Sequence, residues 1–264
     1  MKREKVAAIF LAALTVLSFA ASAGAVDGTI EINQAKVNAA GGFPYTISNT
    51  GSYRLTGNLT VPASTNGIIV SADNVTIDLN GFSIVGPGGP STTPSGISAL
   101  GFAGITVENG SVSGFGAVGI ALGTGIVRNV HANTNGSGIQ GGANSVIEGC
   151  TANQSTSSSG FGISCSPACV ISGDTANHNV DGIDCPGNGC VISGNTVSSN
   201  SDIGIKCASL CAIFNNTVFF NATGISANDA TTGYGVNVLQ NTTNFSGGTS
   251  LGAKNTNLCA GTAC

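Results

Sequence analysis

The 264-residue sequence has no Trp, one Met and three Tyr, and only 8% of its residues are charged. Good helix formers such as Glu, Lys, Gln and Arg are scarce, which argues against a helix-rich fold. Basic side chains are nearly lacking. Of the eight Lys and Arg, Lys2, Arg3 and Lys5 open the chain, and Lys36, Arg54, Arg128, Lys206 and Lys254 are dispersed along the rest. A phosphate-binding surface needs clustered Lys and Arg, so nucleic acid is not an expected partner. The shortage of Trp and Tyr removes most of the rings on which sugars usually stack. That weakens the case for glycan binding without excluding it. A regular Thr-x-Thr face, which would suggest ice binding, is also missing.

What is present points one way. Gly accounts for 40 residues, Asn, Ser and Thr are abundant, and 41% of the chain is apolar with many β-branched side chains. Disorder goes with low hydrophobicity, whereas strands and turns favour this mixture. The composition is all-β. At the N-terminus, Lys2, Arg3 and Lys5 precede an apolar run from Val6 to Ala21, then the small residues Ala21-Ser22-Ala23-Gly24-Ala25. This is the pattern of a secretory signal peptide over 1–25, cut after Ala23 or Ala25. The run is short for a bilayer span, and no other stretch could cross a membrane. The expected product is secreted, periplasmic or extracellular, with no membrane span in the mature chain.

The dipeptide Gly-Ile recurs at Gly67, Gly96, Gly119, Gly138, Gly162, Gly182, Gly204 and Gly224, with spacings of 29, 23, 19, 24, 20, 22 and 20. Three successive units align as GISCSPACVISGDTANHNVD, GIDCPGNGCVISGNTVSSNSDI and GIKCASLCAIFNNTVFFNAT. Each unit holds a strand at Gly-Ile, a turn, a second strand (Val170-Ile171, Val191-Ile192, Ala212-Ile213), a polar corner and a third short strand. Such a unit has no core of its own, but stacked units enclose one. Stacking predicts three inward columns: Ile163, Ile183, Ile205 and Ile225; Ile171, Ile192 and Ile213; and Ala152, Ala176, Val197 and Val218. Asp174, Asn195 and Asn216 fall in register at the corner, where side-chain amides can hydrogen-bond along the axis. Cys150 holds that position one unit earlier.

These residues resemble the right-handed parallel β-helix family, the pectate-lyase-like superfold, and in particular bacterial exported members with an xVISGNTVxxNxxxGI repeat. GSYRLTGNLTVP (51–62) and NVTIDLNGFSIVG (74–86) are similar to the opening turns of such proteins. The resemblance implies a single-stranded right-handed β-helix over 51–245 with about eight coils. Residues 26–50 would cap one end and 246–264, with its Cys pair, the other.

The nine cysteines comprise Cys150 and four close pairs: Cys165/Cys169, Cys185/Cys190, Cys207/Cys211 and Cys259/Cys264. Three pairs bracket the same turn in successive units. The preceding unit has QGGANS (140–145) there, so the coil closes without them. An oxidising compartment makes disulfides the default, and a short turn brings its ends within disulfide range. Closing so small a loop stabilises by about 2 kcal/mol in the chain-entropy model. Pairing between neighbouring coils, such as Cys185 with Cys207, is an alternative. Zinc sites favour Cys-x2-Cys knuckles and redox motifs a Cys-x-x-Cys at a helix start, so neither metal nor redox chemistry is indicated. Cys150 is left as a free thiol.

Asn179-Val180-Asp181-Gly182-Ile183-Asp184 resembles the N-x-D-G-x-D motif of the polygalacturonase family. The departures are large: the next coil offers only Asp202 where that family has paired aspartates, its histidine motif is absent at 221–226, and Lys206 lacks the family's preceding arginine. Asp181, Asp184, Asp202 and Lys206 are therefore weak catalytic candidates. The competing reading is structural, with Asp184 and Lys206 stacked as a surface ion pair and Asp181 and Asp202 serving turns. A lyase would add calcium to the requirements, with Asp73, Asp78, Glu108, Glu148 and Arg128 as the residues to inspect; otherwise no cofactor is implied. His131 and His178 read as solvated corner residues. The sequence favours a non-catalytic surface, envelope or extracellular binding module, directed at polysaccharide or a cell-surface component. The alternative is a polysaccharide lyase or glycoside hydrolase.

Overall fold

The computed structural model describes residues 28–88, 94–250, 257–260 and 262–264; the signal segment expected at 1–25 lies outside them. The described strands form three sheets of 13, 10 and 6 strands. Pairing is parallel throughout except where Leu258–Cys259 meets Thr262–Ala263. Apart from Thr262–Ala263, every described strand pairs with a counterpart one coil away, so the chain is a parallel β-solenoid. The second sheet contains ten strands, which makes about ten coils rather than the eight expected. The two extra coils have a simple cause. Tyr45 pairs with Ile68 at one end and Phe245 with Ile225 at the other, so aromatic residues replace the Gly-Ile signature there.

Between those aromatic ends runs an unbroken column: Ile68, Ile97, Ile120, Ile139, Ile163, Ile183, Ile205 and Ile225. All eight are buried. A second column passes from Tyr53 through Ile77, Val107, Val127, Ile147, Ile171, Ile192 and Ile213 to Tyr234. The third contains Ala176, Val197, Val218 and Leu239. Burying each large aliphatic side chain contributes about 1.5–3 kcal/mol. The Tyr234 and Phe245 rings stack at 4.2 Å between centroids where the first two columns end. At the opposite end a short helix, Gln34–Ala39, follows the edge strand Thr29–Ile32; the sequence reading contained no helix there. Asn33 caps it by accepting the Lys36 N–H at 3.0 Å, and Val37 enters the core.

The repeated glycine is explained by close approach rather than by backbone angle. A Cβ at Gly67, Gly96, Gly119, Gly138, Gly162, Gly182 or Gly204 would lie less than 3.0 Å from the carbonyl oxygen of the repeat glycine one coil on. No side chain fits in that space.

Corner N–H groups outside the strand ladders are satisfied by two columns of asparagine. In the first, the N–H groups of Cys150, Asp174, Asn195, Asn216 and Asn237 donate to the Oδ1 of Asp174, Asn195, Asn216, Asn237 and Asn257 at 2.7–3.0 Å. Each Asn Nδ2 from Asn195 to Asn237 also donates to a main-chain carbonyl of the preceding coil: Ile171, Ile192 and Ile213 in turn. The second ladder escaped the sequence reading. It runs through Asn179, Asn200, Asn221, Asn241 and Asn244 by the same N–H to Oδ1 bonds. Its sequence signal is an Asn three residues after the third-strand core position in three successive coils, TANHN, TVSSN and TVFFN.

Asp174 is the misfit in the first ladder. Its Oδ2 is buried without a partner, in the place where its neighbours present an NH2 group. The acceptor corresponding to Ile171 one coil earlier is the Ile147 carbonyl, which an ionised carboxylate would repel. Burial is the main cause that pushes the Asp174 pKa up from 3.8 to about 8, against lowering by the Cys150 and Ser172 N–H groups. A raised folded-state pKa means the folded chain keeps a proton the unfolded chain releases. Its contribution is complete below pH 4 and is lost as pH rises to about 8, at about 1.4 kcal/mol per pH unit. Asp174→Asn completes the ladder and removes this loss. Thermal unfolding followed from pH 4 to 9 should show the variant gaining on the wild type as pH rises, with a constant advantage above pH 8.

Candidate functional site

The outer side of the second sheet carries the acidic candidates. Register places Asp184 between Ser164 and Lys206 on adjacent coils. The ion pair is not the one expected from that stacking. Lys206 Nζ meets Asp181 Oδ2 at 3.5 Å, and Asp181 Oδ1 accepts the Ile203 N–H at 3.2 Å. The long lysine reaches diagonally to the next corner instead of standing beside its register partner. Asp184 is thereby left with a buried, unpartnered Oδ1. Its pKa is raised, first by burial, with Asp181 adding to the rise and Lys206 opposing it. Asp202 is exposed, and its own N–H donates to the Val180 carbonyl at 3.0 Å. It stays outside the cluster. Asp184 therefore keeps an unpartnered oxygen, whereas both oxygens of Asp181 are occupied.

The row through Asp184 extends in both directions. Gln140, Ser164, Asp184, Lys206, Ser226 and Ser246 are register partners on six successive coils. Along the first sheet runs a different row: Glu31, Arg54, Asp78, Glu108, Arg128 and Glu148. The residues considered for a lyase are thus aligned on successive coils, apart from Asp73, which accepts the Ala103 N–H at 2.8 Å. Asp78 is paired with Arg54 at 3.1 Å and Glu108 with Arg128 at 2.6 Å. A cation would have to displace an arginine to claim either carboxylate. The two histidines are exposed. His131 Nδ1 lies 2.7 Å from Thr151 Oγ1, and His178 occupies a left-handed corner.

The cysteine pairs close within their own coils: Cys165–Cys169, Cys185–Cys190, Cys207–Cys211 and Cys259–Cys264 are disulfides. Among the described residues, the one grouping of three or more His, Cys, Asp or Glu able to reach a common ion is Cys185, Cys190 and Cys211. As disulfides these sulfurs offer no thiolate to a metal. Cys150 is a buried thiol whose pKa is pushed up to about 12, mainly by burial and then by Asp174. Its Sγ points at the Val127 and Glu148 carbonyls, 3.6 and 3.4 Å away. A thiolate there would face two carbonyl oxygens, so the group is inert.

One further feature was not singled out in the sequence. A shallow groove of ≈ 650 Å³ crosses three coils around Phe220, over the second asparagine ladder. The available signal was the pair Phe219-Phe220, which stands where the two preceding units have Ser198-Ser199 and Asn177-His178.

No family model and no curated protein matches the chain. Among solved structures, the crystal structure of Dettilon tailspike protein (gp208) matches with 16% identity and a TM-score of 0.45, over 79% of this chain and 45% of that one. The chain therefore spans less than half the length of that protein, and a likeness at this level bears on neither ligand nor activity.

Lys206→Met removes the charge that holds the Asp184 pKa down, so its carboxyl carbon, followed by NMR, should titrate at higher pH than in the wild type. Asp181→Asn should move it in the opposite direction. Thiol titration of the native protein should find no reactive group, and the denatured, non-reduced protein should give one thiol per chain, from Cys150.

Proposed function

We propose that this chain is an exported, non-catalytic β-helix module that binds polysaccharide or a polymeric cell-surface component. The observation that carries this reading is the in-register row from Gln140 to Ser246 on the second sheet. Successive coils lie about 4.8 Å apart, so the row runs for roughly 25 Å, with a polar group at least partly open to solvent on every coil except that of the buried Ser164. That geometry suits an extended polymer better than a compact metabolite. The four disulfides fit an oxidising compartment. Nucleic acid does not fit a surface whose few cations are dispersed, two of the arginines being tied up by Asp78 and Glu108.

Hydrolysis by paired carboxylates needs a free acid and a free base on either side of the bond. Asp184 could serve as the acid, but Asp181 is held by Lys206 and the Ile203 N–H, and Asp202 stays apart. The second reading, a carbohydrate-active enzyme with calcium if it is a lyase, keeps one supporting observation: the unpartnered carboxyl of Asp184, whose pKa burial raises.

Incubation with insoluble uronate and neutral polysaccharides and with cell-wall preparations, with and without calcium, separates the two. The expected outcome is co-sedimentation with at least one polymer and no release of soluble sugar. Depolymerisation that disappears in Asp184→Asn would establish the enzyme reading in its place.

A further inference from the structure

Phe220 breaks two rules of its environment at once. The residue is 63% exposed, and its backbone lies in the left-handed region at φ 60, which bulky side chains disfavour. In the three preceding coils the corresponding left-handed corner is held by polar residues, Gln154, His178 and Ser199. A Phe here therefore gains nothing from burial and sits in a strained backbone. Leu210 and Val236 share the exposed left-handed setting, but Phe220 differs in being aromatic and in opening onto the groove described above. Its orientation is also defined, since the neighbouring Phe219 ring packs against it edge-on, at 5.2 Å and 80°.

The rest of the groove completes a recognisable chemistry. Its floor is the second ladder, where the amides of Asn200, Asn221 and Asn241 are committed to one another and to main-chain carbonyls. Its walls carry Ser199, Ser201, Gln240 and Thr242, whose side chains have no bond to another described residue and are available to a ligand. No ionisable group lines it.

We propose that this groove is a binding subsite for a neutral pyranose unit, stacked on Phe220 and hydrogen-bonded by the surrounding hydroxyls and the Gln240 amide. The C–H face of a pyranose is apolar and matches the electron-rich face of an aromatic ring, while its rim of hydroxyls needs the mixed donors and acceptors the walls supply. The absence of charge in the lining selects against uronates and sulfated sugars, which would be desolvated there without a counterion. Three coils span roughly 10 Å, enough for about two sugar residues. The inference rests on the polysaccharide-binding reading above and names a site and a sugar class for it.

Purified protein titrated by calorimetry with cellohexaose, maltohexaose, laminarihexaose and mannohexaose, and with hexagalacturonate as the charged control, tests the subsite. At least one neutral hexasaccharide should bind. Phe220→Asn, whose side chain suits the left-handed corner, should weaken that binding at least tenfold while leaving the melting temperature unchanged or higher. Phe220→Trp should retain or tighten it, and Ser201→Ala with Gln240→Ala should weaken it in a folded background. Unchanged affinity in Phe220→Asn overturns the proposal, as does a large drop in its melting temperature, which would make the ring structural. If polysaccharide binding survives in Phe220→Asn but is lost in Lys206→Met, the broader reading stands and the subsite falls. If no neutral hexasaccharide binds, the subsite falls, and the co-sedimentation result alone then decides the broader reading.

Discussion

One coil lying on the next at about 4.8 Å is the constraint from which the rest of this structure follows. At the repeat glycines the distance is so short that a single methyl group would strike the next coil's carbonyl oxygen. At the corners it is short enough for one asparagine to accept its neighbour's N–H and to donate to a carbonyl across the same step. In the interior it stacks isoleucine on isoleucine. A short strand of three residues has little stability alone; it persists because its neighbours are held at the same height. Stability in such a rod is a sum of nearest-neighbour terms, and the two asparagine ladders are the terms that fix the corners.

The same constraint decides which side chains can meet. Residues far apart in sequence become neighbours where strand register sets them at the same position on successive coils, whatever the length of chain between them. That is how Glu31, Arg54, Asp78, Glu108, Arg128 and Glu148, spread over more than a hundred positions, form one charged row. It also explains the shape of any functional surface on this molecule: rows parallel to the axis, with one group per coil. Lys206 shows the limit of the rule. Its register partner is Asp184, yet its ammonium goes to Asp181, because a flexible four-carbon stem can leave its own row. The consequence for chemistry is direct, since the choice neutralises one carboxylate and strands the other in a half-buried position.

Much of this was legible because repetition converts weak signals into strong ones. A single Gly-Ile means nothing, whereas the eight that recur from Gly67 to Gly224 at intervals of about one coil define a period and therefore the Ile and Asn columns. The readings that missed did so where the repeat is broken or where position alone is insufficient. The end coils carry Tyr45 and Phe245 instead of isoleucine, and so were not counted. The ladder through Asn179, Asn200, Asn221 and Asn241 was hidden in a background rich in asparagine, in which no single Asn stands out. The salt-bridge partner of Lys206 depends on rotamer reach, which register does not encode. Phe220 is unremarkable in a string; it becomes informative only once its exposure and left-handed backbone are known.

The first ladder also shows how a directional polar chain ends inside an apolar core. Every member donates its N–H toward the following coil, so the ladder needs a first residue whose own side chain demands little. Upstream of Cys150 the corner is held by Val130, which is buried and apolar. A thiol suits that boundary: it fills space as a small hydrophobe and donates weakly to the Val127 carbonyl, in the place where Asn195 and its successors use an amide. Asp174, next in line, accepts the Cys150 N–H at 2.7 Å as well as any asparagine would, but returns no donor unless it keeps its proton. The two atypical ladder residues are therefore adjacent for a physical reason. They mark where a polar ladder gives way to packing, and the acid carries the cost of that junction in its proton affinity.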